Sequence, residues 1–334
     1  MYENFYGFSE KPFNTTPDSR FFFPSAKHLE ALNSLVYAID QRKGFVVITG
    51  EIGAGKTTVC RTLLNKLDGN TKVALITNTH LSAKELITEI LDEFEIEHKG
   101  GSKQKLLSRL NAFLIQQLAQ DTNVVLIIDE AQNLTPTVLE EVRMLSNLET
   151  EREKLIQIIL LGQPQLKGKL ENPKLEQFKQ RIAVYYHLST LNRQETEEYI
   201  HHRMNIVSSN SHQALFSCPA LDLIYAHSKG VPRIINLTCD SALLSGYIIE
   251  TKTLDETIIK DVLKERQIQH PDEEKAAHGL RKNPIETYCC PNCQRYFNCE
   301  TKWIRGIKKE EQVCCPHCKS YMQCLADTKK EKIH

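Results

Sequence analysis

Several features of common protein classes are missing from this sequence. It contains no apolar run approaching the roughly 18 residues that a membrane-spanning helix needs. The first residues, MYENFYGFSEKPF, lack the basic and then apolar order of a signal peptide. A net charge is also missing: 42 Lys and Arg residues balance 42 Asp and Glu residues, which excludes a chain-wide basic surface for nucleic acid. These absences predict a soluble, cytoplasmic protein with no transmembrane span.

The pattern of strands and helices changes along the chain. Short apolar runs at 45–49, 73–77, 124–128, 156–161 and 184–188 alternate with helical patterns at 56–67, 83–93, 103–119 and 136–149. Such alternation predicts an α/β fold with a parallel sheet that is covered by helices on both faces. We expect five regions: an aromatic-rich segment at 1–43 that packs on the following domain, an α/β domain at 44–191, an α-helical domain at 192–266, a linker at 267–286 and a cysteine module at 287–326.

A phosphate-binding loop, the Walker A motif, follows the first strand. The pattern G-x-x-x-x-G-K-[ST] is matched by Gly50, Glu51, Ile52, Gly53, Ala54, Gly55, Lys56 and Thr57, with Thr58 next in the helix. Glycines let successive backbone N–H groups face one concavity, where they can hold phosphates. Lys56 supplies a positive charge to the phosphates, and the Thr57 hydroxyl can ligate Mg²⁺.

Two carboxylates end the strand at 124–128, as in a Walker B motif. Asp129 and Glu130 would lie at the same edge of the sheet as the phosphate loop, because parallel strands deliver their carboxyl ends to one edge. Asp129 is then placed to hold Mg²⁺, and Glu130 to polarise an attacking water. The two motifs together predict binding and hydrolysis of a nucleoside triphosphate.

An ordered series of segments over residues 1–266 resembles the AAA+ ATPases, and more narrowly the general secretion pathway protein A family. The segments are YENFYGFSEKPFNTTPDSRFFFPSAKHLEAL, GEIGAGKTT, IIDEAQNL, LLGQPQL, FKQRI, LNRQETEEYIHHRM and GVPRIINLTCDSALL. The resemblance implies a P-loop AAA+ core with an all-α lid domain, ATP and Mg²⁺ as ligands, and a homo-oligomer in the form of a ring or filament.

The same resemblance assigns roles to three polar residues. Gln163 corresponds to the sensor that contacts the γ-phosphate and the attacking water. Arg233 corresponds to the second sensor, in the lid. Arg181 corresponds to the arginine finger that reaches a neighbouring subunit's site, a role that suits its planar and permanent charge. Other arginines compete for the finger role: Arg143, Arg152 and Arg203.

Eight of the eleven cysteines lie between Cys289 and Cys324. Two C-P-x-C segments provide four thiolates that suit structural Zn²⁺ in a zinc ribbon: Cys290, Cys293, Cys315 and Cys318. A ligand set shifted to Cys289 and Cys314 stays open, as does a redox dithiol. This zinc module departs from longer secretion ATPases of the family, which continue into a membrane span and a periplasmic domain.

Two biological roles are compatible with these motifs. The first is an ATPase that assembles or regulates an envelope system for secretion, pili or exopolysaccharide export. The alternative is a DNA-binding transposition regulator that recruits a transposase, for which the basic and aromatic stretch at 302–309 offers possible DNA contacts. Either role implies a protein partner.

Overall fold

The computed structural model describes residues 1–67, 69–151, 153–208 and 215–269, together with four short strands nearer the C-terminus. The chain divides into two compact units, Met1–Leu263 and Lys264–His334. The predicted zinc ligands Cys290, Cys293, Cys315 and Cys318 lie outside the described residues.

A five-stranded parallel sheet organises the first unit. Its strands are β1 Phe45–Gly50, β2 Thr71–Ile76, β3 Asn123–Ile128, β4 Gln157–Gly162 and β5 Ile182–Leu188. Their spatial order is β2-β3-β4-β1-β5, and every neighbouring pair is parallel. The order brings β3 and β1 to either side of β4, so three strand ends that carry polar motifs meet at one edge. The predicted parallel sheet is confirmed.

Twelve α-helices surround this sheet or follow it in the described chain. They are α1 Tyr2–Tyr6, α2 Ala26–Asp40, α3 Lys56–Lys66, α4 Ala83–Glu93, α5 Lys103–Ala119, α6 Pro136–Leu145, α7 Gln165–Leu170, α8 Glu176–Lys179, α9 Arg193–Val207, α10 Cys218–Ser228, α11 Pro232–Ile248 and α12 Glu256–Gln269. Because successive strand residues face opposite sides, Phe45 and Val47 pack with α4, α5 and α6, whereas Val46 and Ile48 pack with α2 and α3. Both faces of the sheet are therefore covered, as predicted.

Helix α6 begins as its sequence predicts but ends earlier. Thr135 caps it by accepting the Val138 N–H at 3.3 Å, and Pro136 occupies its first turn. The helix stops at Leu145, so the expectation of helix to residue 149 is wrong. Backbone N–H groups beyond Leu145 bond to carbonyls three residues earlier, as in the 3.1 Å bond from Ser146 to Arg143, and this tighter turn redirects the chain towards β4.

The aromatic N-terminal segment contacts the α/β domain through Ser19 and Phe22, but most of its buried rings pack elsewhere. Its buried rings belong to the core of the α-helical part, α9 to α12, which includes Ile200, Ile235 and Leu243; these rings are Tyr2, Tyr6, Phe8, Phe13 and Phe21. Backbone pairing ties the segment there, since the Ser9 N–H donates to the Val207 carbonyl at 2.8 Å. The segment therefore completes the core of a helical domain whose first helix, α9, begins at Arg193. Helix α2, together with the partly buried Phe22, packs on the sheet instead.

The second unit contributes two short antiparallel pairs to the description. Strand β6 (Ile285–Cys289) pairs with β7 (Tyr296–Glu300), and β8 (Val313–Cys314) pairs with β9 (Tyr321–Met322). No helix in the described ranges is long and apolar enough to cross a membrane.

Candidate nucleotide-binding site

The loop between β1 and α3 needs glycine at two positions. Gly53 has a φ of 78° and Gly55 a φ of 100°, both in the left-handed region that disfavours residues with a Cβ. A Cβ on Gly53 would lie 2.5 Å from the Cβ of Arg233, and one on Gly55 would lie 3.0 Å from Nε2 of His28. Backbone conformation and space thus both require glycine, which lets the loop approach its neighbours closely.

Lys56 points back into this loop. Its side chain is buried, and its Nζ donates to the carbonyl oxygens of Gly50 at 2.8 Å and Glu51 at 3.0 Å. Burial lowers the pKa of Lys56, while the carboxylates of Glu130, Asp129 and Glu51 oppose that shift. Its ammonium is held where the loop would cradle phosphates, and a phosphate would supply a closer counter-charge.

Asp129 lies beside Thr57. The Thr57 hydroxyl donates to Oδ2 of Asp129 at 3.1 Å, and the backbone N–H of Asp129 donates to Ile76 on β2 at 2.9 Å. A hydroxyl oxygen and a carboxylate oxygen at this separation are the hard ligands that Mg²⁺ prefers. These two side chains therefore fit a magnesium ion.

Glu130 adopts a left-handed backbone conformation, with φ 51° and ψ 36°. Such a conformation costs about 1–3 kcal/mol for a residue other than glycine and is typical of functional sites. The Glu130 N–H donates to Oδ1 of Asp129 at 2.9 Å, which helps to hold the turn. Because the two carboxylates are adjacent in sequence, this turn directs their side chains to different partners.

The Glu130 carboxylate is held by two amides. Its Oε2 accepts from Nε2 of Gln132 at 2.5 Å and from Nε2 of Gln163 at 3.1 Å. Oε1 of Gln132 in turn accepts the backbone N–H of Gln163 at 3.0 Å. The prediction from sequence missed Gln132, because a glutamine two residues after a strand-end carboxylate has no distinctive spacing, and its contact with β4 depends on strand order.

Arg233 opens α11 next to the phosphate loop. Its backbone N–H donates to the Gly53 carbonyl at 3.3 Å. A cleft of about 360 Å³ separates the loop from the helical domain, and its lining includes Lys56, Thr57, Thr58, Glu130 and Arg233. Residues of the N-terminal segment between 14 and 23 complete the wall opposite the loop.

The structure brings together the loop residues 50–58, Asp129, Glu130, Gln163 and Arg233, but it places Arg181 elsewhere. Arg181 follows α8, and its guanidinium donates to the Ser146 hydroxyl at 3.1 Å. It does not line the cleft.

The competing arginines differ in how they are engaged. Arg143 is bonded to Glu140 within α6 at 2.7 Å. Arg203 is 5% exposed and donates to the carbonyls of Pro12 and Asn14, which tie it to its own chain, and it lines the cleft of that chain. Arg152 lies outside the described residues.

Comparison with known proteins places the fold. A protein-family profile described as "AAA domain" matches residues 39–170. General secretion pathway protein A of Aeromonas hydrophila is 41% identical over 248 residues, which cover 74% of this chain and 45% of that protein. The chain therefore spans less than half the length of this relative.

Solved structures support the same fold. The ORC2 protein of Aeropyrum pernix, in ADPNP and ADP complexes, superposes with a TM-score of 0.59 at 15% identity, covering 77% of this chain and 72% of that one. The ORC1 protein of the same organism, in complex with DNA, gives 0.59 at 15% identity over 82% and 73%. At such identities the likeness concerns the fold alone, and this chain has a P-loop AAA+ fold.

Proposed function

We propose that this protein is an AAA+ ATPase of the general secretion pathway protein A type, which hydrolyses ATP to drive or regulate the assembly of an envelope system. The relative in Aeromonas supports the secretion-related role through 41% identity. The observation that carries the ATPase proposal is that Lys56, Thr57 and Glu130 line one cleft, with Asp129 bonded to Thr57 beside it.

Each of these residues has a distinct task in hydrolysis. The loop N–H groups and Lys56 bind the β- and γ-phosphates, and Thr57 with Asp129 would hold Mg²⁺. When bound, Mg²⁺ neutralises charge that develops on the phosphate oxygens. Glu130 accepts a proton as water attacks the γ-phosphorus, the bond to the β-phosphate oxygen breaks, and ADP and inorganic phosphate are released.

The amide contacts of Glu130 give it a defined orientation. Gln132 and Gln163 both donate to Oε2, so Oε1 stays available to accept from a water molecule. Gln163 also directly follows β4 and contacts Glu130, which suits a sensor of the γ-phosphate. Gln132 links the Glu130 carboxylate to the backbone N–H of Gln163, and it acts as a positioning residue for Glu130.

Completion of the site requires a second copy of the chain. Arg181 lies away from the cleft of its own chain, which is the arrangement expected of a finger that acts in a neighbouring subunit. Arg233, in the lid and in backbone contact with Gly53, is the residue suited to report nucleotide state within one chain. This division supports the proposal that the protein forms a homo-oligomeric ring or filament.

Two substitutions separate binding from chemistry. Lys56→Ala should lose nucleotide affinity, whereas Glu130→Gln should retain binding and lose about 10²–10⁴-fold in turnover, because an amide cannot accept the proton from water. Phosphate release and equilibrium binding of a fluorescent ATP analogue measure the two properties. Glu171→Gln, at an exposed position after α7, is the matched control. Equal turnover by wild type and Glu130→Gln would contradict the assignment of Glu130.

The envelope role and the DNA-binding alternative differ in a simple assay. Transposition regulators bind DNA with an affinity that falls steeply with salt, because phosphate contacts release counterions. We expect no salt-dependent binding to duplex DNA and no stimulation of ATP hydrolysis by it. Stimulation by DNA would favour the alternative role and leave the ATPase proposal intact.

We also propose that the C-terminal unit binds structural zinc. Strands β6 and β7 lie before and after the segment that contains Cys290 and Cys293, and β8 and β9 flank the segment with Cys315 and Cys318. Antiparallel strands on either side of each C-P-x-C segment suit the two hairpins of a zinc ribbon. Among the residues that the structure describes, no cluster offers a competing metal site.

Zinc content tests this second proposal. The purified protein should carry about one zinc ion per chain, and Cys290→Ser should lose it. Cys218→Ser, at an exposed cysteine of α10, is the control that should keep it. A chain truncated after residue 269 should lose the metal, and full zinc retention by that fragment would show that the ligands lie elsewhere.

A further inference from the structure

His28 lies in the first turn of α2, directly against the phosphate loop. Its side chain is 6% exposed, and both ring nitrogens have partners. Nε2 lies 3.0 Å from the carbonyl oxygen of Ala54, inside the loop, and Nδ1 lies 2.7 Å from the hydroxyl of Ser25, the residue that caps α2. The ring thus connects the start of a helix to the loop that would hold phosphates.

The partners define the protonation of this ring. A carbonyl oxygen only accepts hydrogen bonds, so Nε2 carries a hydrogen and donates to Ala54. Burial lowers the pKa of His28, which favours the neutral ring, and Nδ1 then accepts from the Ser25 hydroxyl. The contact with Ala54 thus assigns a hydrogen to Nε2, and the lowered pKa favours a neutral ring in which Nδ1 accepts from Ser25.

The contact with Ala54 has a direct consequence for the next N–H group. The Ala54 carbonyl and the Gly55 N–H belong to one planar trans peptide, in which they point in opposite directions. Anchoring the oxygen to His28 on one side fixes the direction of the Gly55 N–H on the other. Gly55 and His28 both line the cleft, and the Nε2 atom is only 3.0 Å from the position that a Cβ on Gly55 would occupy.

We propose that His28 is a positioning residue for nucleotide binding, which locks the Ala54–Gly55 peptide so that the phosphate loop keeps its N–H groups directed into the cleft. The nature of the ligand, a nucleoside triphosphate, rests on the proposed function above. The rigidity of the loop does not, because it follows from contacts within the chain.

Two variants and one control test this proposal. His28→Leu removes the donor, whereas His28→Gln can still donate from its Nε2 to the Ala54 oxygen. Loss of one hydrogen bond of this kind corresponds to a weakening of up to about tenfold in affinity for ATP, and His28→Gln should restore most of it. The control, His98→Leu, removes a 2.8 Å contact with Asp92 of α4, and neither residue lines the cleft.

Hydrogen exchange of the nucleotide-free protein provides a readout that does not depend on ATP. His28→Leu should accelerate amide exchange in residues 53–57 while β1 and β4 keep wild-type protection. If exchange in the loop and affinity for ATP both match wild type, the proposal is wrong. If the wild type fails to bind ATP, the proposed function fails, and the exchange experiment still judges His28.

A spectroscopic test covers the case in which His28→Leu does not fold. Long-range ¹H–¹⁵N correlation of the histidine rings, assigned by the signal absent from His28→Gln, should show His28 as the Nε2–H tautomer. The opposite tautomer, or a ring that titrates with the solvent-exposed histidines, would overturn the proposal.

Discussion

The phosphate-binding residues contact one another at the cleft, whereas Arg181 is held away from the cleft. Lys56, Asp129 and Glu130 are fixed by contacts with the loop or with one another, and burial removes much of their surface from water. Arg181 is only half-buried, and its guanidinium donates to Ser146, which is outside the cleft. One chain therefore builds the phosphate half by itself, whereas Arg181 can contribute only if another chain brings it to a site.

The largest expected effect tests this difference directly. Arg181→Ala should still bind ATP, because the phosphate half is intact, but should lose about 10³-fold or more in turnover, as for other arginine fingers. Lys56→Ala has the reverse defect, with an intact finger and no binding. Steady-state phosphate release at several protein concentrations measures both variants.

A mixture of the two variants decides whether Arg181 acts between chains. When both defects fall in one site, the next site is intact, so the mixture should recover activity that neither variant has alone. No recovery, with hetero-oligomers shown to form, would contradict a finger in trans at Arg181 and favour Arg143 or Arg152; the Arg143 carbonyl accepts from the Ser146 hydroxyl that Arg181 also contacts.

A smaller effect is expected within the phosphate half. Gln132→Leu should lower kcat by about 10- to 100-fold with little change in KM, because Glu130 loses one of its two amide donors while Lys56 and the loop stay in place. Gln165→Leu, at an exposed position on α7, is the matched control. A rise in KM with unchanged kcat would show that Gln132 serves binding and not the orientation of Glu130.

The smallest effect concerns acid stability. Burial holds the pKa of His28 below its ordinary value of 6.5, and only weaker contributions from the Ala54 carbonyl and Glu195 oppose that shift. Below pH 6.5 the unfolded chain therefore binds more protons at this position, and the free energy of unfolding should decrease as the pH falls towards the folded pKa. Urea unfolding between pH 7.5 and 5 measures this.

His28→Gln serves as the comparison, since it keeps a donor but cannot titrate. As the pH decreases, the unfolding free energy of the wild type should fall more than that of His28→Gln. A difference independent of pH would contradict a buried neutral histidine beside the loop.

The sequence predicted the bounds of helices well where apolar spacing and capping residues agreed. Helices α4 and α5 have the predicted bounds, because apolar spacing, Ser82 with Glu85 as a capping box and Ser102 as a cap all agree. The extension of α6 to residue 149 was wrong, since its last residues satisfy the helical pattern but bond as a turn. The sequence predicted that the N-terminal aromatics pack on the α/β domain, whereas most of them pack on the helical domain and Phe22 packs on the sheet, because an apolar side chain indicates burial without indicating its packing partner.

The sequence by itself indicated the phosphate loop and the two carboxylates that follow β3 through residue types at fixed short spacings. It indicated the parallel sheet through the alternation of strands and helices along the chain. Tertiary structure alone decided the strand order that sets Gln163 beside Glu130, the bonds of Arg203 to the N-terminal segment, and the contacts of His28 and Gln132. The physical reason is that a hydrogen bond between residues tens of positions apart depends on which strands and helices become neighbours. Burial and chain connectivity across the whole domain decide which strands and helices become neighbours, and no short segment contains that information.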